Sequence, residues 1–131
     1  MTRKIFIIGL VFIAVGIIYI SGFFGNTSEK EVGIWGLSMS ILGGMVCCFN
    51  NVMLESKVYK FIYFLVIAII VLFQFSPIYF WFLFQGNGIA DVDVSTDFVA
   101  HWGFSAIHIS VIILCLYLLN VSNKIMKTKT S

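Results

Sequence analysis

Hydrophobic residues fall in four long runs, and the polar residues gather in the breaks between them. The first run extends from about Ile5 to Phe24, after Arg3 and Lys4 and before the polar stretch from Gly25 to Glu31. The second covers about Val32 to Val52, the third about Val58 to Phe84 and the fourth about Phe98 to Leu119, with a short basic tail at 120–131. A helix needs about 20 mostly apolar residues to cross a hydrocarbon core of roughly 30 Å, and each run is long enough. None alternates apolar with polar residues as a barrel strand would, and backbone polar groups in lipid must be satisfied within their own segment. The expected fold is therefore all-α: a polytopic membrane protein of four transmembrane helices in an antiparallel bundle, forming a single domain over 1–131.

Composition removes the soluble alternative. The 131 residues are 60% hydrophobic and 11% charged, against about 25% charged in an ordinary soluble domain. So little polar surface could not cover a globule in water. The formal net charge of +2 is small and the aromatics sit within apolar runs, so nucleic acid is not an expected partner.

The placement of Lys and Arg sets the orientation. Arg3 and Lys4 precede the first run, Lys57 and Lys60 flank the second connection, and Lys124, Lys127 and Lys129 lie in the tail. Four crossings put all of these on one side, so both termini are predicted to be cytoplasmic. Lys30 alone falls on the other side, between Glu29 and Glu31. The first run is expected to stay as a helix. Bulky Phe23 and Phe24 stand where a signal-peptide cleavage site wants small residues.

The third run exceeds one bilayer thickness and contains Pro77. Its missing N–H predicts a helix kink near Phe73 to Ser76. The run Tyr79 to Phe82 beyond it suits an outer interfacial aromatic belt.

The fourth run holds the candidate chemistry. At 100° per residue, Asp97, His101, Ser105, His108 and Cys115 fall within a sector of about 80°. His108 lies roughly 16 Å below Asp97, which predicts a depth near the bilayer midplane. Ionisable groups at such depth face the bundle interior and count as functional candidates, and a histidine can relay protons. The structural account weighs more. A neutral imidazole is satisfied by an interhelical hydrogen bond, and Asp97 at a helix start complements the dipole.

Other chemistry is weaker. His101 and His108 are seven residues apart, not the three or four of a helical metal-ligand pair, so no metal or cofactor is expected. The stretch from Asp91 to Asp97 imitates the opening of a calcium loop, but Thr96 replaces the required Gly and Trp102 the closing Glu. Cys47, Cys48 and Cys115 form no Cys-x-x-Cys motif, and adjacent cysteines strain a mutual disulfide. Palmitoylation of Cys47 or Cys48 and small-residue packing both account for that pair.

The second run supplies the packing signal. Gly36, Ser40, Gly44 and Cys48 recur every fourth residue and form a ridge that permits close helix approach. The ridge is expected to pack against the polar stripe of the fourth helix, with Ser40 sharing its hydrogen bonds. Cysteines at positions 36 and 101 would then cross-link. The alternative is that the ridge serves a homodimer, and for a protein that acts on a membrane partner Gly44→Leu would abolish partner recovery.

No nucleophile constellation or paired acids point to an enzyme. Ser105 and His108 are i, i+3 neighbours without an orienting partner. The expected function is non-enzymatic: a small integral membrane protein acting through helix–helix contacts as an accessory or immunity-type factor. Its partners are the lipid bilayer and either another membrane protein or a second copy. The competing expectation is a small proton-coupled transporter or ion-conducting protein using Asp97, His101, Ser105 and His108. Small four-helix multidrug exporters have this size, yet they depend on a Glu in the first span, and Ile5 to Phe24 contains no acid. The expected location is the cell membrane, with a bacterial inner membrane favoured by the Ile/Phe-rich composition.

Overall fold

The computed structural model describes the backbone of residues 2–21, 30–50, 52–86 and 94–130, and the side chains of 3–21, 33–50, 52–75, 106–125 and 127. Those residues form four helices: α1 (Thr2–Ile20), α2 (Lys30–Cys48), α3 (Lys57–Gly86) and α4 (Val94–Thr130), with a 3-10 turn at Met53–Glu55. Three helices contain stretches long and apolar enough to cross a membrane, at Arg3–Ile20, Lys57–Phe75 and Ala106–Ile125. The apolar part of α2, Gly33–Cys48, is shorter.

Local chemistry moves the ends away from the limits of the apolar runs. The described first helix runs to Ile20; the expected end at Phe24 lies outside the described residues. Ser21 bonds back through its N–H to the Ile17 carbonyl at 2.9 Å and through its hydroxyl to the Ile18 carbonyl at 2.7 Å, satisfying the last turn. The second ends at Cys48, not Val52. The Asn50 side chain accepts from the Met53 N–H at 2.9 Å and so starts the 3-10 turn that leads to α3. Removing this side-chain acceptor with Asn50→Ala is expected to cost about 1 kcal/mol. Asn50→Asp keeps the acceptor and should cost less; equal losses in detergent unfolding midpoints would rule out the turn as the cause. The fourth helix continues through the basic tail to Thr130. Lysine is a good helix former, and cations near a helix C-terminus complement the dipole.

The interior is a seam of alternating three- and four-residue steps. It runs through Ile5, Ile8, Phe12, Val15 and Tyr19 of α1, through Met39, Leu42 and Val46 of α2, and through Phe49 just beyond its end. From α3 it takes Tyr63, Val66, Ile67, Ile70 and Gln74, and from α4 His108, Val111, Cys115, Leu118, Ser122 and Ile125. Such spacing keeps one face of a helix against its neighbours along a gently supercoiled path. The outer faces are equally apolar, with Ile17, Ile34, Ile41, Phe61, Leu72, Ile113 and Leu116 all exposed. A bundle with oil-like residues inside and out is suited to lipid, where packing and polar bonds, not hydrophobic burial, hold helices together.

Each helix packs mainly on its sequence neighbour, α1 on α2 and α3 on α4, and α1 also meets α4. The α1–α2 pair is the tightest. A Cβ on Gly9 would meet Cys47 Sγ at 2.5 Å and the Gly43 carbonyl oxygen at 2.9 Å. A Cβ on Gly16 would meet the Gly36 carbonyl oxygen at 2.5 Å and the Ser40 nitrogen at 2.8 Å. Gly9 thus pairs with the end of α2 and Gly16 with its beginning, so the two helices run in opposite directions.

This corrects the expected role of the small-residue ridge. Gly36 and Ser40 face α1, not α4, and the ridge continues through Gly43 and Cys47. A Cβ on Gly44 would have nothing within 4 Å, and Cys48 is exposed. Ser40 donates to the Gly36 carbonyl of its own helix at 2.9 Å. No close backbone approach of α2 to α4 exists among the described residues. Four-residue spacing drifts around a helix of 3.6 residues per turn, whereas 36, 40, 43 and 47 stay on one face.

Candidate functional site

One polar cluster joins all four helices, and His108 is its centre. The imidazole is fully buried, as is Gln74 of α3. His108 Nδ1 lies 2.5 Å from Gln74 Oε1, and His108 Nε2 bonds to the Tyr19 hydroxyl of α1. Gln74 Nε2 donates to the Ile70 carbonyl at 2.8 Å and reaches Met39 Sδ of α2 at 3.6 Å. From α2, the Trp35 ring stands edge-on to His108 with centroids 5.2 Å apart, and its centroid lies 4.4 Å from that of Tyr19.

These bonds assign the histidine tautomer. The amide nitrogen of Gln74 is turned to Ile70, so its oxygen faces the ring and can only accept. Nδ1 therefore carries the proton, and Nε2 of a neutral ring accepts from the Tyr19 hydroxyl. Donors and acceptors alternate along Tyr19, His108, Gln74 and the Ile70 carbonyl. A chain of this kind satisfies buried polar groups that would otherwise be costly, and each link polarises the next.

Helical spacing explains why these residues meet. Tyr19 follows Phe12 by seven on the α1 seam, Gln74 follows Ile70 by four on α3, and His108 precedes Val111 by three on α4. Trp35 lies one turn before Met39. His108 is level with Tyr19, the next-to-last residue of α1. The cluster thus closes one end of the α1–α2 hairpin and is not halfway along it. Beyond that layer α3 continues to Gly86, and α4 begins back at Val94. At 1.5 Å per residue, each overruns the layer by roughly 18–21 Å.

A second polar pair lies toward the other end. Tyr63 of α3 and Ser122 of α4 are both buried, with their hydroxyl oxygens 2.9 Å apart, and Ser122 donates back to the Leu118 carbonyl at 2.5 Å. Phe49 packs edge-on against the Tyr63 ring at 5.0 Å. Between the two polar layers the seam holds Ile67, Ile70, Val111 and Cys115, at 0–1% exposure. Of these only Cys115 carries a polar group, a free thiol that is a weak donor and acceptor.

Of the expected stripe, the structure places His108 and Cys115 on the buried seam. The backbones of Asp97, His101 and Ser105 belong to α4, and their side chains lie outside the described residues. α3 runs as helix through Pro77, whose side chain is likewise outside them. Sequence reading missed Tyr19, Trp35 and Gln74. The signal for Gln74 was present: a lone amide inside an apolar run is expected to face the bundle interior. No family model, curated protein or solved structure matches the chain.

Proposed function

We propose that the chain is a small, non-enzymatic integral membrane protein that acts through helix contacts, as an accessory or immunity-type factor for a second membrane protein. In this reading all four helices cross the inner membrane of a bacterium, with both termini cytoplasmic. α2 is short, but it lies antiparallel along α1 from Gly36 to Cys47, so wherever α1 crosses, α2 shares its depth. Lys4 and Tyr19 are fifteen residues apart on α1, about 22 Å. With Lys4 at the inner boundary, His108 then sits in the outer leaflet and not at the midplane.

The observation that carries the non-catalytic reading is the internal satisfaction of His108. Tyr19 and Gln74 engage its two nitrogens. The buried, largely apolar seam between the two polar layers supports the same reading. The competing reading, a proton-coupled carrier using the α4 stripe, rests on a buried histidine with Asp97 and His101 on the same face by helical spacing.

Reconstitution separates the two. Protein in liposomes loaded with a pH-sensitive dye is expected to leave an imposed proton gradient decaying at the rate of protein-free vesicles. Purification in mild detergent should recover a second membrane protein in fixed stoichiometry. Proton flux that disappears on replacing His108 in a variant that still elutes as the folded bundle would overturn the proposal in favour of the carrier.

A further inference from the structure

Pro77 has no backbone N–H, so the carbonyl four residues earlier, that of Phe73, lacks the bond that normally closes an α-helical turn. A proline also crowds that carbonyl and tilts it off the helix axis. α3 nevertheless continues as helix from Lys57 to Gly86. The indole nitrogen of Trp35, reaching across from α2, donates to the Phe73 carbonyl at 3.2 Å. The donor missing from α3 is supplied by another helix.

The same indole has two further neighbours. It lies against Tyr19 at 4.4 Å and stands edge-on to His108 at 5.2 Å, while the Phe73 ring is 6.4 Å away. Gln74, the residue after Phe73, holds the other side of His108. Trp35 is therefore clamped between the polar cluster and the weak point of α3. We propose that Trp35 is a latch: its N–H stands in for the backbone donor that Pro77 lacks. The outer third of α3 can then hinge at Phe73 only when the indole withdraws, and displacement of the His108 cluster withdraws it. This inference is independent of the chain's partner and of whether it carries protons.

The latch has a genetic signature. With Ala at position 77 the backbone N–H returns, the Phe73 carbonyl is bonded within its own helix, and the indole donor becomes redundant. Phenylalanine at position 35 keeps a ring against Tyr19 and His108 but removes the donor. In mild detergent, Trp35→Phe is expected to speed hydrogen–deuterium exchange of the peptide covering residues 70–80 by about tenfold, the size of effect set by one buried unsatisfied acceptor. In the Pro77→Ala background the same replacement should speed it by less than about threefold, because the acceptor is no longer stranded. Recovery of Trp35→Phe as a folded protein only when Pro77 is also replaced would support the latch equally. Equal acceleration in both backgrounds, no acceleration in either, or failure to fold in both would overturn it. Each of these would mean that Trp35 serves only to pack, whatever stands at position 77.

Discussion

A single methyl group added at Gly16 is expected to destabilise the bundle by about 3 kcal/mol, the upper end of the usual cost of overpacking. Most overpacked sites relax by turning a side chain. Here the new Cβ would meet the Gly36 carbonyl oxygen at 2.5 Å and the Ser40 nitrogen at 2.8 Å, both backbone atoms of α2. Relief requires moving the helices apart. That would also open the Gly9 contact with Gly43 and Cys47 on the same seam. In lipid no hydrophobic gain offsets the separation, because lipid tails cover the exposed faces as well as protein does. Gly16→Leu should yield no folded bundle. Gly44→Ala is the internal control: its Cβ meets nothing within 4 Å, and helix propensity favours alanine over glycine by up to about 1 kcal/mol. The comparison is read from unfolding midpoints in mixed detergent. If Gly16→Ala were as harmless as Gly44→Ala, α1 and α2 would not be paired through these glycines.

The second large effect is expected at His108. His108→Leu removes a bond to Tyr19 and a bond to Gln74, and leaves the Gln74 carbonyl oxygen buried without this donor. The expected cost is about 2 kcal/mol. Interhelical hydrogen bonds in membranes average nearer 0.6 kcal/mol when both partners can find alternatives. The higher figure is favoured because Gln74 is fully buried, with its amide nitrogen already turned to Ile70. A double-mutant cycle decides between them. Gln74→Leu alone strands the Nδ1 proton of His108 and should cost a similar amount. His108→Leu with Gln74→Leu removes donor and acceptor together and should cost less than the two singles added, with a coupling of about 1 kcal/mol. Strict additivity would show that the pair contributes through packing alone and that its hydrogen bond carries no specificity.

The first of these effects falls where the sequence was hardest to read. In a soluble bundle the buried face declares itself, because the opposite face is polar. Here Ile17, Ile41, Phe61 and Ile113 point outward and Ile5, Leu42, Ile67 and Val111 inward. The apolar stripe has no polar complement, and the helices look alike all round. The four-residue recurrence of Gly36, Ser40, Gly44 and Cys48 was a real regularity, but half of it lies off the packed face. The local steps that choose Gly43 and Cys47 depend on what stands opposite them. Polar residues were more legible, since one inside an apolar run must find a partner. That argument placed His108 in the interior and would have placed Gln74 there too. It could not name the partners.

The sequence by itself determined four helices, a composition fit for lipid, and a charge asymmetry on which the proposed orientation of the termini rests. These follow from length, hydropathy and the distribution of Lys and Arg, which are properties of segments taken singly. Only the tertiary structure decided that α2 pairs with α1 through glycine contacts. It also decided that Tyr19, Gln74 and Trp35 converge on His108, and that the indole of Trp35 reaches the carbonyl Pro77 leaves open. Those outcomes depend on register between segments. Register is set by shape and hydrogen-bond geometry across an interface, and no single segment carries that information.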